Sequence, residues 1–180
     1  MRWIDYAQWI GAPQSFQEVC PVFCKTFSLR GHVREAFLQV SAKGIYEVFI
    51  NSVPVSKDLF APGWTNYHSR IQFQEYDVTA FLTGSSFHLA LHAGKGWYGG
   101  RLTHHIYQDR CPSVIAALFV RYADGTDEVF VTDGSWKVAE GPVKFSDIYD
   151  GEVYDARINF SKWFSAEVLP AGTEILVPQE

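Results

Sequence analysis

An all-β fold, with two sheets packed as a jelly-roll β-sandwich, is predicted by three observations. Aromatic residues make up 16% of the 180-residue chain, and with Val and Ile they outnumber helix formers in most windows, which suits a pleated, half-buried surface. Apolar and polar residues alternate with period two through several short runs, and Gly, Pro and Asp-Gly punctuation separates those runs. With 47% hydrophobic and 19% charged residues, the chain can bury one core, and its length suits a single domain.

The elements follow in order. From Val33 to Val55, "VREAFLQVSAKGIYEVFINSVPV" contains two strand-like runs separated by Lys43-Gly44. Tyr46, Val48 and Ile50 share one face and Glu47, Phe49 and Asn51 the other, so the pattern predicts an antiparallel hairpin. Asp77 opens "DVTAFLTG", where a capping residue before a short apolar turn closed by Gly84 predicts one helical turn at a sheet edge. In "SSFHLALHAG", Phe87, Leu89 and Leu91 alternate with His88, Ala90 and His92 to give another strand. Asp124-Gly125 sits between two β-rich runs and predicts a hairpin tip.

Several function classes are excluded. A net charge of −5 with scattered Lys and Arg offers no basic stripe for a phosphate backbone, so no nucleic-acid partner is expected. No run approaches the roughly 18 apolar residues of a membrane span. "MRWIDYAQWIGAP" carries Asp5 and Gln8 where a secretory signal needs an unbroken apolar core, so a cytoplasmic location is expected. Cys20, Cys24 and Cys111 are an odd count, too few for a stapled secreted module, and are expected as free thiols.

The candidate chemistry is sparse. His88 and His92 would share a strand face, but at roughly 13 Å apart they cannot hold one zinc ion. His104 and His105 are adjacent, so a strand would point them to opposite sides. Cys20-x3-Cys24 lacks a second pair of ligands. No nucleophile elbow, dinucleotide fingerprint or P-loop occurs. "FSDIYDGEVYDAR" places Asp147, Asp150, Glu152 and Asp155 around Gly151. Paired carboxylates could serve glycoside hydrolysis across a cleft with a polar lining or bind a hard cation, and a solvated or interface loop is the better reading. In "GKGWYGG", Trp97-Tyr98 between glycines could stack on the apolar C–H face of a sugar or pack into the core.

Six ordered motifs also resemble the N-terminal β-sandwich module of bacterial α-L-rhamnosidases: "GIYEVFIN" (44–51), "APGWTNYHSRIQFQEYDVT" (61–79), "GKGWYGG" (94–100), "YADGT" (122–126), "TDGSWK" (132–137) and "SDIYDGEVYDAR" (146–157). The resemblance covers Pro21 to Arg157 and implies a galactose-binding-domain-like jelly roll with one or two short helical turns. It implies three parts: an N-terminal lead-in (1–20), the sandwich (21–145), and an acidic arm (146–180) running out towards a following domain. The family's catalytic acids sit in a separate α/α barrel, so this chain is expected to carry no catalytic residue.

Two roles are implied. One is structural support for the catalytic barrel, with Asp150, Glu152, Tyr154 and Asp155 at the domain interface. The other is a carbohydrate-binding module for L-rhamnose or a rhamnosylated glycan. Pro62-Gly63 is expected as a turn and Trp64 and Tyr67 as packing anchors, leaving Asp58, Asn66, Trp97, Tyr98 and Asp109 as sugar contacts, with Trp64 a further candidate. Some relatives bind the sugar with a calcium ion, at positions matching Lys57-Asp58 and 109–112. Here the Lys57 ammonium would meet the cation, and Asn51-Ser52 stands where the family favours Asn-Gly, so no cofactor is expected.

Overall fold

Strands whose apolar residues fall on one face must bury that face, and here they do so in two stacked sheets. The computed structural model describes residues 1–13, 16, 19–101, 110–160 and 162–179. The first sheet contains β1 (Ile10–Gly11), β3 (Val33–Lys43), β6 (Ile71–Asp77), β8 (Ser113–Tyr122), β9 (Asp127–Val131), β14 (Glu167–Val168) and β15 (Leu176–Pro178). Its order is β14-β1-β8-β3-β6-β15, with β9 also paired to β8. The second sheet runs β13-β10-β2-β7-β4-β5. Its members are β2 (Pro21–Ser28), β4 (Ile45–Ile50), β5 (Val53–Pro54), β7 (Ser86–Gly94), β10 (Lys137–Glu140) and β13 (Phe164–Ser165). A separate two-stranded sheet joins β11 (Val143–Asp147) to β12 (Gly151–Tyr154). This is the two-sheet sandwich that the alternation predicts.

The core between the sheets is filled from both sides. Leu38, Val40, Val114, Ala116, Leu118 and Val120 come from the first sheet, and Phe23, Phe27, Tyr46, Val48, Phe87 and Leu89 from the second. Phe27 lies 5.2 Å from Phe87 and 5.9 Å from Trp136, ring centroid to centroid. The outer face of the first sheet is covered as well. A 3-10 turn, Trp3–Tyr6, brings Trp3 onto Phe119 at 4.5 Å, and Ile4, Trp9, Tyr67, Ile71, Phe73 and Leu176 bury Ile115 and Ala117. Buried Gln39 fastens this layer: it accepts from the Ile4 amide (3.0 Å) and donates to the Met1 carbonyl (2.8 Å).

The outer segments take part in the sandwich. Within 1–20, Ile4, Trp9, Ile10 and Phe16 are fully or nearly fully buried. Within 146–180, β13, β14 and β15 pair with β10, β1 and β6, while the β11–β12 hairpin stands outside both sheets.

The predicted hairpin over Val33–Val55 is not formed. Strand β3 pairs with β6 and β8, and β4 with β5 and β7, so the chain crosses between sheets at Gly44. There φ is 124°, and a Cβ would lie 2.3 Å from the Gly94 carbonyl oxygen. Alternation is the same on either side of such a corner, so the pattern cannot distinguish it from a hairpin. The hairpin that does form in this stretch is β4–β5, where Asn51 and Ser52 take φ of 51° and 65°, the two positive values of a type I′ turn. At Asp77 the expected turn is present: Asp77 Oδ1 accepts from the Thr79 amide (3.0 Å) ahead of a 3-10 turn, Thr79–Phe81. Asp124-Gly125 forms the β8–β9 tip, with Gly125 at φ 83°.

The β8–β9 and β4–β5 turns predict opposite effects in urea or thermal unfolding. Gly125→Val should destabilise by about 1 kcal/mol or more, because a β-branched residue resists positive φ. Ser52→Gly should stabilise by up to about 1 kcal/mol, because glycine relieves the left-handed strain. A fall in stability for the glycine variant would count against the strained-turn reading.

Candidate functional site

The loop from β5 to β6 and the short helix α1 (Gly96–Gly99) after β7 form an aromatic corner. Trp64 lies parallel to Trp97, with centroids 6.2 Å apart and planes at 4°, and Phe60 tilts against Trp97 at 5.8 Å. Trp97 and Tyr98 are half-buried on the second hydrophobic cluster. Tyr98 meets buried Tyr67 edge-on at 5.1 Å, and the Arg110 guanidinium covers the Tyr98 ring. Tyr67 is therefore the anchor that the sequence suggests. Trp64 is corrected: it is 58% exposed beside exposed Leu59 and Phe60, because its indole rests on Trp97 above the core.

Asp58 ends a polar chain that crosses the sandwich. Its Oδ2 accepts from the Tyr76 hydroxyl (2.8 Å), which lies 3.3 Å from that of Tyr46. The Tyr46 hydroxyl donates to Gln74 Oε1 (2.6 Å), and Gln74 Nε2 donates to Gln179 Oε1. Burial pushes the Tyr46 phenol well above its ordinary value, so it remains a hydrogen-bond donor at neutral pH. Sequence reasoning missed Tyr46, Tyr76 and Gln74, since each occupies an ordinary strand position and only the folding of β4 across β6 brings them together. Asn66 closes its own turn: its Oδ1 accepts from the His68 amide at 3.2 Å. Asp109 lies outside the described residues, as do His104 and His105.

The β11–β12 hairpin shelters a cleft of about 230 Å³ lined by Cys20, Tyr46, Glu47, Asp58, Phe60, His92 and Glu152 among others. Burial raises the Cys20 thiol to about 11, with Glu152 adding to the effect, so the thiol is not a thiolate nucleophile at neutral pH. Burial also lowers His92 to about 4. At the hairpin tip, burial would raise the Asp147 carboxyl, but the backbone N–H groups of Arg101, Tyr149 and Asp150 hold it below the ordinary value. Asp150 pairs with Arg101 (2.8 Å), and Asp155 pairs with Arg157 (2.8 Å). Glu152 and Tyr154 are exposed. The hairpin acids are thus divided among separate partners rather than gathered as a catalytic pair.

Of the positions that the resemblance suggests for a calcium ion, Asp58 is described and Asp109 lies outside the described residues. Asp58 is occupied by the Tyr76 hydroxyl and follows Lys57. Among the described residues no three His, Cys, Asp or Glu side chains converge as metal ligands.

Two packed sheets with an aromatic and polar loop cluster at one end define a jelly-roll β-sandwich domain. The family model described as alpha-L-rhamnosidase N-terminal domain matches residues 31–174, and the chain belongs to that family. An α-L-rhamnosidase of Streptomyces avermitilis is 37% identical over 169 residues, 88% of this chain and 16% of that protein. The chain spans 16–18% of the length of the curated relatives it matches. Among solved structures, an α-L-rhamnosidase from Aspergillus terreus has a TM-score of 0.85 at 31% identity, covering 96% of this chain and 22% of that one. A Streptomyces avermitilis α-L-rhamnosidase complexed with L-rhamnose has a TM-score of 0.78 at 33% identity, covering 84% and 16% respectively.

The depressed His92 has a stability consequence. Folding holds the imidazole neutral down to about pH 4, while the unfolded chain takes a proton near its ordinary value of 6.5. Its contribution is therefore complete above the higher value and is lost as pH falls towards the lower one. In urea titrations across this window, His92→Gln should lose stability less steeply than the native chain, and parallel slopes would count against a neutral buried His92.

Proposed function

We propose that this chain is a non-catalytic β-sandwich domain of a larger α-L-rhamnosidase and serves as structural support for its catalytic barrel. The observation that carries the reading is the β11–β12 hairpin. It stands apart from both sheets and exposes Tyr149, Val153 and Tyr154 at 66%, 57% and 60%. Exposed apolar side chains on an element that belongs to neither sheet suit coverage by another surface, and Asp150, Glu152 and Asp155 supply polar groups beside them.

The aromatic corner favours a second reading, a module for L-rhamnose or a rhamnosylated glycan. Exposed Trp64, backed by Trp97 and flanked by Phe60, offers a flat apolar surface of the kind that stacks on a sugar. Asp58 adjoins it in the same loop, and Asp109 remains a candidate by position.

The isolated chain should give no turnover of an aryl α-L-rhamnoside. In the complete glycosidase, changing Val153 and Tyr154 together to Ser should lower the melting temperature and expose the bond after Arg157 to trypsin, while changing the isolated chain's unfolding free energy by no more than about 0.5 kcal/mol. If the complete enzyme is unaffected, the support role falls. Titration with L-rhamnose tests the second reading: saturable binding abolished by Trp64→Ala supports it, and no saturable response removes it.

A further inference from the structure

The outward face of the six-stranded sheet is divided between two clefts that share no lining residue. One, at Glu47 and His92, is sheltered by the β11–β12 hairpin. The other is open, about 540 Å³, and lined by Cys24, Lys25, Thr26, His88, Ser135, Lys137 and Trp163. Strand register explains its shape. Lys137 on β10 lies opposite Cys24 on β2, so the small Cys24 side chain makes a low floor with longer ones beside it.

The chemistry of the walls is specific. Trp163 is 41% exposed and stacks on Phe160 at 5.7 Å and 19°, and Phe160 takes a left-handed φ of 30°. A non-glycine residue in that region carries strain, here at the position that supports an exposed indole. The two lysines differ. Lys25 is held by Asp133 (3.4 Å) and Ser135 Oγ (2.6 Å). Lys137 reaches only a neutral partner, Ser165 Oγ at 3.3 Å, and pairs with no carboxylate among the described residues. Beside it, the Thr26 hydroxyl and His88 Nδ1 lie 3.2 Å apart and offer further hydrogen-bonding atoms.

We propose that this cleft is a binding site for a pyranose carrying an anionic group, either carboxylate or sulfate. The sugar's apolar C–H face would stack on Trp163, its anion would meet the Lys137 ammonium, and its hydroxyls would face Thr26, His88 and Ser135. The site is separate from the aromatic corner at Trp64 and Trp97, and does not depend on the support role of the hairpin.

The test is titration of the full 180-residue chain with methyl β-D-glucuronide, D-glucose 6-sulfate and methyl β-D-glucoside, followed by the indole N–H and imidazole signals in NMR spectra. One or both acidic probes should move the Trp163 and His88 signals saturably, the tighter one identifying the anion. The neutral glycoside should bind about ten-fold more weakly, as loss of a charge-assisted contact implies. Lys137→Met should bring the acidic probes down to the neutral level, Trp163→Ala should abolish all binding at this cleft, and Trp64→Ala should change neither. If Trp163→Ala fails to fold, Lys137→Met alone decides. No saturable shift at Trp163, equal affinity for the neutral glycoside, or shifts unaltered by Lys137→Met would each overturn the proposal.

Discussion

Burial of β8 on both faces is the constraint on which the remaining architecture depends. Its ten residues alternate between two cores: Val114, Ala116, Leu118 and Val120 point between the sheets, while Ile115 and Ala117 point away. A strand with one solvated face could stand in a simple sandwich; this one needs a third layer. The N-terminal turn and Trp9 supply it, with Leu176 adding its side chain from the edge strand β15, because leaving Ile115 and Ala117 in water would forgo the apolar burial that drives folding. The chain ends are therefore structural parts of the domain, and Gln39 satisfies the backbone groups that this covering layer would otherwise strand.

The same layering leaves the second sheet to carry the accessible surfaces. Among the described residues, its outer face receives the small β11–β12 hairpin at one end and Trp163 beside the open cleft. Loops beyond its strands hold the aromatic corner, and the polar chain from Asp58 to Gln179 links that corner to β6 and the chain's last described residue. A rigid sandwich thus presents loops whose side chains are already oriented, the usual division between scaffold and site.

Some residues of the candidate site could not be recognised in advance because their place in it depends on pairing. Tyr46 reads as one more inward residue of an alternating strand, and its hydroxyl acquires a role only when β6 lies across the sandwich. Trp64 reads as an anchor because most Trp side chains in such loops are buried, yet the neighbouring turn gives that place to Tyr67. Four acids within "DIYDGEVYDAR" suggest a single cluster, but Arg101, distant in sequence, draws Asp150 to one side while Arg157 holds Asp155.

The amino-acid sequence by itself determined the strands and turns whose causes are local. Period-two alternation set β4 and β7, Asp77 set its turn, and Asp124-Gly125 set a hairpin tip, since each depends on backbone preferences and side-chain direction within a few residues. The ordered motifs also carried the family. Tertiary structure alone decided that β3 and β4 lie in opposite sheets, that residues near both ends cover β8, and which aromatic rings face solvent. These follow from which surfaces meet after the chain has turned back on itself, and alternation within one strand carries no record of the partner that will cover it.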